Sequence, residues 1–328
     1  MSGNQMVQQL DEALAFIKAN ASFLVVSHVQ PDGDAISSTL VVSWLLERLG
    51  KKAVMINESE LPGRLQYLRG FDHILSLKHE QLDISFDAVI AIDCADYRRI
   101  GDVASMFPEN CRLLNIDHHP TNNGFGTVNV IRPEAAATVE ILYDLIIHAG
   151  FTPDLECAKA IYTGLLTDTG GFRYSNTTPR VMEIAASLLG LGVSGSELAD
   201  HLLEKMTIAK LKLLQTALAR LTFSEDLKIG WLYIGKEDLA ACGAVPEDLE
   251  GIVNYALNVD GVEVGILFKE TSDGAVKASM RSAGKADVAA IAQSFGGGGH
   301  VRASGCRLEG PLGGAMSGLV EAVRKALV

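Results

Sequence analysis

Arg112-Leu113-Leu114-Asn115-Ile116-Asp117-His118-His119 decides how this chain is read. An apolar run with the character of a buried strand gives way at once to an acid and two imidazoles, three groups that bind metal, orient metal ligands or carry protons. In open α/β sheets, ligands bind beyond the carboxyl ends of the strands, so the triplet marks that edge. The pattern recurs twice upstream. Phe23-Leu24-Val25-Val26-Ser27 runs into His28 and the turn Pro31-Asp32-Gly33-Asp34, and the apolar run over 86–92 ends in Asp93. These strands are apolar almost throughout and do not alternate, which predicts a parallel sheet covered by helices on both faces.

Working outward, apolar periodicity predicts helices over 5–19 and 36–49, the second stopped by Gly50. A strand is expected at 52–57, helical residues at 63–69 and from Asp93 to about 107, and a strand at 127–131. Helices follow over 137–149, 154–166 and 179–189, with Thr178 as cap and Pro179 in the first turn of the last. Ser194 and Glu197 form a capping-box pattern, and helical periodicity continues through 206–221. Beyond 223 the pattern changes to short strands at 229–234, 262–268, 275–281 and 303–308, with a hairpin turn at 271–274 and helices at 246–257, 286–293 and 312–326. The expected α/β architecture is an N-terminal parallel-sheet domain over 1–192, a helical connector over 193–222 and a smaller mixed-sheet α/β domain over 223–328.

The 328 residues carry a net charge of −12. Proteins that grip long duplexes present a basic face, so a short anionic substrate neutralised locally is expected instead. The five cysteines are scattered, with no C-x-x-C pair, which predicts free thiols in a reducing compartment and no thiolate-bound zinc. No apolar run reaches the ~18 residues of a membrane span, and no leader pattern opens the chain. A cytoplasmic protein is predicted, and a homodimer is compatible with the sequence.

The acids and imidazoles at the strand ends read as one site. His28, Asp32 and Asp34 share a tight turn that can aim them together, Asp93 can bridge two ions, His118 adds a nitrogen and Asp168 another carboxylate. Such ligands without a thiolate suit Mn²⁺ best; Mg²⁺, Co²⁺ and Fe²⁺ also fit, Zn²⁺ less well. Two divalent ions about 4 Å apart can activate water and clamp an in-line displacement at phosphorus. At this point Asp117, His118 and His119 stand as equivalent candidates. His73, His79, His148 and His201 have no evident partners and read as ordinary.

These motifs, His28-Val-Gln-Pro-Asp32-Gly-Asp34, Asp93, Asp117-His118-His119 and Asp168, resemble in order the four motifs of the DHH phosphoesterase superfamily. Gly296-Gly-Gly-Gly-His300-Val-Arg-Ala-Ser304-Gly305 resembles the glycine-rich motif of the associated DHHA1 domain. The compact two-domain form is similar to the nanoRNase type, the bifunctional oligoribonucleases and 3′-phosphoadenosine-5′-phosphate phosphatases. The resemblance implies one metal held by His28, Asp32 and Asp93, and a second by Asp34, Asp93, His118 and Asp168. It implies that His119 contacts the phosphate or the leaving oxygen and that Asp117 orients a neighbouring histidine.

In the C-terminal domain, Gly297, Gly298 and Gly299 allow a backbone close to phosphate. His300 and Ser304 add donors, and Arg281 can pair with a phosphate. The resemblance implies that this domain binds the terminal nucleotide. Arg98, Arg99, Arg173 and Arg180 are weaker phosphate candidates; Arg173 follows Asp168 closely, whereas Arg98 and Arg180 read as solvated surface residues. The expected enzyme releases 5′-mononucleotides from very short single-stranded RNA, with 3′-phosphoadenosine-5′-phosphate as a second substrate. Two other readings compete: a hydrolase restricted to linear dinucleotides such as pApA and pGpG or to one small molecule, and a nucleotide-binding regulator that has lost catalysis.

Overall fold

The computed structural model describes residues 3–77 and 85–327; His79 lies outside them. The chain forms two units, Met1–Lys205 and Met206–Val328, so the stretch expected as a connector divides between them.

The first unit holds strands β1 (Ser22–Ser27), β2 (Lys52–Asn57), β3 (Ile74–Ser76), β4 (Ala88–Ile92), β5 (Arg112–Asp117) and β6 (Val128–Ile131). They form a sheet in the order β3-β2-β1-β4-β5-β6, and every neighbouring pair is parallel. The chain grows outward one way from β1 and the other way from β4. The crevice that such a reversal opens lies at the carboxyl tips of those two strands. Ser27 pairs with Ile92, so the residues that follow, His28 and Asp93, emerge side by side.

Strand side chains alternate between two apolar layers. Phe23, Val25, Ile90 and Ile92 pack with helices α1 (Gly3–Ala19), α2 (Gly33–Arg48), α3 (Thr138–His148), α4 (Leu155–Asp168) and α5 (Pro179–Gly190). Leu24, Val26, Val89 and Ala91 pack under Ile100 and Val103. Burial on both faces is why the strands show no polar alternation. The covering is unequal, because the second layer lies under a 3₁₀ segment, Tyr97–Met106, kinked at Gly101 (φ 72°). A Cβ there would stand 1.8 Å from a Glu58 carboxylate oxygen and 2.5 Å from Val29.

Three local expectations change. The helical stretch at 63–69 reduces to one 3₁₀ turn, Gly63–Leu65, with left-handed Gly70 (φ 91°) beyond it. Ser194 precedes α6 (Gly195–Ala199) but its side chain makes no capping bond, and α6 runs into a π-helical turn, Asp200–Glu204. Strand β3, three residues long, was too short to register as a pattern. Thr178 caps α5 as expected, accepting from Val181 N–H, with Pro179 in the first turn.

The second unit contains α7 (Ile208–Leu218), β7 (Thr222–Phe223), β8 (Ile229–Ile234), α8 (Asp238–Cys242), α9 (Ile252–Leu257), β9 (Val264–Glu270), β10 (Val276–Ser282), α10 (Val288–Ser294), β11 (Gly298–His300), β12 (Ala303–Leu308) and α11 (Leu312–Ala326). The sheet order is β11-β12-β10-β9-β8-β7. It is mixed: β8 runs parallel to β9 and the other pairs are antiparallel. Ile229, Phe268, Val276 and Met280 face α10 and α11, and Leu232, Ile234 and Leu267 face α7 and α9. The helix expected over 246–257 is two pieces, a 3₁₀ turn Pro246–Leu249 and α9, because Gly251 between them is left-handed (φ 80°). Among the described residues, no single helix is long and apolar enough to cross a membrane.

Candidate active site

The site is built at the reversal point of the parallel sheet. His28 follows β1 and is 3% exposed. Its Nδ1 lies 2.9 Å from its neighbour's carbonyl, Val29 O. With the proton on Nδ1 donated there, Nε2 presents its lone pair to the crevice. That nitrogen lies 3.5 Å from Asp93 Oδ2 and 4.0 Å from Asp32 Oδ2. Asp32 caps α2 with its other oxygen, which accepts from the N–H groups of Asp34 and Ala35 at 3.1 Å. One carboxylate thus starts the helix and faces the site.

Asp93 is a left-handed residue (φ 58°), an uncommon conformation for a side-chain-bearing residue. Its N–H donates to Ile116 O at 3.0 Å, which ties the tip of β4 to β5. Its Oδ1 lies 3.6 Å from His118 Nε2 and 3.6 Å from His119 Nδ1. Burial alone would raise this carboxyl's pKa; the imidazoles of His28, His119 and His118 outweigh it and hold Asp93 well below the usual range.

Asp34, fully buried, sits in the first turn of α2. Its carboxylate accepts from the N–H groups that open α3, Thr138 at 2.6 Å and Val139 at 3.2 Å. Burial, then the charges of Asp93 and Asp32, push its pKa well above the ordinary carboxyl value. Close packing delivers it there. A Cβ on Gly33 would fall 2.4 Å from Thr167, and one on Gly164 would fall 2.7 Å from Asp34 Oδ1. Both glycines therefore allow α2 and α4 their close approach. Asp168 ends α4, and its Oδ2 lies 3.4 Å from His118 Nε2. His118 repeats the arrangement of His28, with Nδ1 3.2 Å from Ala135 O and Nε2 facing the carboxylates. Burial lowers its pKa, which keeps a ligand lone pair available.

His119 is different. Burial would lower its pKa, but the hydrogen bond to Asp117 and the charge of Asp93 raise it to about 9. Its Nδ1 lies 2.7 Å from Asp117 Oδ1. Asp117 is fully buried, and its second oxygen accepts from Asn122 Nδ2 at 2.6 Å. The same amide donates to Cys94 O at 2.9 Å, while Asn122 Oδ1 accepts from Asn115 Nδ2 and Gly124 N–H. Sequence reading missed Asn122 and Thr138. Neither is charged, and only the run of hydrogen-bonding residues after the triplet hinted at Asn122.

Ligand atoms of His28, Asp32 and Asp93 all lie within 4.8 Å of one another, as do those of Asp34, Asp93 and His118 and those of Asp93, Asp117 and His119. Asp93 belongs to each group. The donors are imidazole nitrogens and carboxylate oxygens, a set suited to hard or borderline divalent cations. Burial first, and then the negative charges of Asp93 and Asp32, raise the pKa of Asp34, and a cation would relieve the second of these.

Residues 22–165 match the DHH family N-terminal domain, and residues 239–328 match the DHHA1 domain. A Thermus thermophilus protein named bifunctional oligoribonuclease and PAP phosphatase is 36% identical over 92% of this chain and 89% of its own length. The chain belongs to the DHH phosphoesterase family. A Bacillus subtilis protein of the same name is 27% identical over 90% of this chain and 92% of its own. A crystal structure of a Bacteroides fragilis exopolyphosphatase-related protein superposes with a TM-score of 0.86 at 28% identity, covering 98% of this chain and 95% of that one. A Thermus thermophilus RecJ in complex with Mn²⁺ shares the fold, with a TM-score of 0.53 at 15% identity, over 98% of this chain and 54% of that one.

The other expected residues of this DHH protein divide. Arg173 is exposed, and its Nε donates to Gly170 O at 2.6 Å, which braces the turn after α4. Arg99 gives its carbonyl to Val29 N–H at 2.8 Å and lies near enough to His119 to depress its pKa. The N–H of Arg98 donates to Asp96. In the second unit the second half of the glycine run enters strand β11. Gly298 pairs with Gly305, Gly299 with Ser304 and His300 with Ala303. A Cβ on Gly297 would stand 2.2 Å from Gly305 O, and one on Gly299 (φ 137°) 2.6 Å from Ala303 O. Those two glycines are needed for strand approach, whereas Gly298 has open space on its Cβ side. Ser304 points inward, donating to Val288 O at 2.6 Å, so its proton is committed within the unit. Arg281 lies on β10 opposite Ala303. Of the histidines read as ordinary, His148 pairs with Asp11 and His201 bonds to Arg64 O.

Proposed function

We propose that this chain is a Mn²⁺-preferring phosphoesterase that releases 5′-mononucleotides from short single-stranded RNA and also hydrolyses 3′-phosphoadenosine-5′-phosphate. The observation that carries the reading is the sharing of Asp93 between the group with His28 and Asp32 and the group with Asp34 and His118, which suits a pair of ions and not one. The names of the Thermus and Bacillus relatives support the substrate class.

One ion would be held by His28, Asp32 and Asp93, and the other by Asp34, Asp93, His118 and Asp168. Bound there, the ions would neutralise phosphate charge and make a water acidic enough to attack at neutral pH. The protein's own groups do the rest. Backbone carbonyls fix the tautomers of His28 and His118. His119, held at Nδ1 by Asp117 and with its pKa raised by that contact in the metal-free protein, would offer an Nε2 proton to a phosphate oxygen or to the departing oxygen. Arg281, His300 and the backbone at Gly298 would bind the terminal nucleotide, with Arg173 and Ser304 the weaker candidates.

The test is a panel of pApA, pGpG, a five-nucleotide RNA and 3′-phosphoadenosine-5′-phosphate, assayed with Mn²⁺. Mononucleotide release from both the dinucleotides and the longer RNA, with phosphate release from the last, is expected. Turnover of only one substrate would replace this reading with a dedicated hydrolase. Tight nucleotide binding with no hydrolysis would replace it with a regulator. His300→Ala should raise KM several-fold with little change in kcat, and an unchanged KM would remove His300 from nucleotide binding.

A further inference from the structure

Thr138 opens α3 and is completely buried, although its side chain is polar. Its hydroxyl donates to Asp93 Oδ1 at 2.9 Å, and its N–H donates to Asp34 Oδ2 at 2.6 Å. One residue thus holds the carboxylate shared by the donor groups and a carboxylate belonging to one of them. The hydroxyl is the shorter approach to Oδ1, since His118 Nε2 and His119 Nδ1 stand 3.6 Å away. A carboxylate has about four lone-pair sites. Committing one of them to a fixed hydroxyl sets the rotation of the group and so the direction of the remaining three.

The hydroxyl is itself held in place. Thr is stiff at χ1, and the segment before α3 is anchored from below. Arg132 N–H donates to Asp117 O at 3.0 Å, and the buried Arg132 guanidinium pairs with Asp144 at 2.6 Å. Glu140 accepts from Ala136 N–H at 2.8 Å, and Arg180 closes on the other oxygen of Asp144. Both acids lie on α3, so the network ties the helix to the loop that precedes it. That loop also supplies Ala135 O to His118 Nδ1.

We infer that Thr138 is a positioning residue for the metal pair: its hydroxyl orients Asp93, so that both ion positions depend on a side chain that ligates neither. The inference rests on the two-ion reading proposed above. Hydrogen-bond partners of metal ligands are commonly worth about 10–100-fold in metal affinity, and a loss of that size is expected here.

The experiment is calorimetric titration of the metal-free, full-length protein with Mn²⁺, with Mn²⁺ electron paramagnetic resonance on the same samples. Wild type is compared with Thr138→Val, Thr138→Ala, Thr138→Ser and Asp93→Asn, and thermal melts in chelator check folding. Val replaces the hydroxyl by a methyl in the same space; Ala removes it without crowding and serves if the Val variant does not fold. Both should bind Mn²⁺ about 10–100-fold more weakly and alter the spectrum of the loaded protein, while Ser, which keeps the hydroxyl, should restore both. If Val or Ala binds like wild type while Asp93→Asn fails to bind, the inference on Thr138 is overturned and the two-ion reading stands. Equal weakening in Ser and Val would also overturn it, by showing that the hydroxyl is not the cause. If Asp93→Asn binds like wild type, the two-ion reading falls first and the inference with it.

Discussion

His28 Nε2 lies 3.5 Å from Asp93 Oδ2, across the gap between two neighbouring parallel strands whose onward connections run in opposite directions. The sheet order creates the gap, and the register Ser27 to Ile92 brings the two residues level. Everything else in the site is aimed at that gap from β5, α2, α3 and α4.

Asn122 should matter to chemistry more than to metal loading. It fixes Asp117, which fixes His119, and it touches none of the residues proposed as ligands. Asn122→Ala should lower kcat by about 10–100-fold while leaving Mn²⁺ affinity within a few-fold of wild type. An unchanged kcat in steady-state assays would remove the Asn122–Asp117–His119 chain from the mechanism.

His119 sets a pH dependence in the metal-free protein. Its folded-state pKa is raised from 6.5 to about 9, with burial opposing the shift and Asp117 producing it. A raised pKa means that protonation favours the fold. The stabilisation is complete below the unfolded value of about 6.5 and is lost as pH rises through about 9. Urea unfolding in chelator at a series of pH values should therefore show stability falling across that window. His119→Ala should flatten this fall, and an equally steep fall in that variant would assign the effect to another group.

Gly33 and Gly164 should be intolerant of even a methyl group. A Cβ at Gly33 meets Thr167 Cγ2 at 2.4 Å, and one at Gly164 meets Val139 at 2.7 Å. Overpacking of this kind costs about 1–3 kcal/mol. Gly33→Ala should lower Tm by several degrees, and Gly164→Ala should also weaken Mn²⁺ binding, because its Cβ meets Asp34 as well. A melt of Gly33→Ala within a degree of wild type would show that α2 and α4 part easily.

Much of this was legible in the residues because chemistry and burial leave different marks. Strands β1, β4 and β5 are apolar almost throughout, and each ends in or runs into a charged or imidazole group. The period and the punctuation therefore marked both the sheet and its functional edge. The strand order was not legible, since nothing in a buried strand's composition names its neighbour. Thr138 and Asn122 were missed for a related reason: an uncharged residue becomes part of the site only through the group it meets across the fold. The glycine run at 296–299 showed no strand in the sequence because glycine weakens any strand pattern. Close approach to β12 is what demands glycine at Gly297 and Gly299. Ser304 looked available to phosphate, but its place on β12 turns it toward Val288.

The central claim is that Asp93 is shared by two ions, and counting bound Mn²⁺ by calorimetry in wild type and Asp93→Asn tests it most directly. Two ions per chain in wild type, with both weakened together and turnover abolished in Asp93→Asn, is the predicted result. Two ions bound at wild-type affinity by Asp93→Asn, or full activity in that variant, would contradict it.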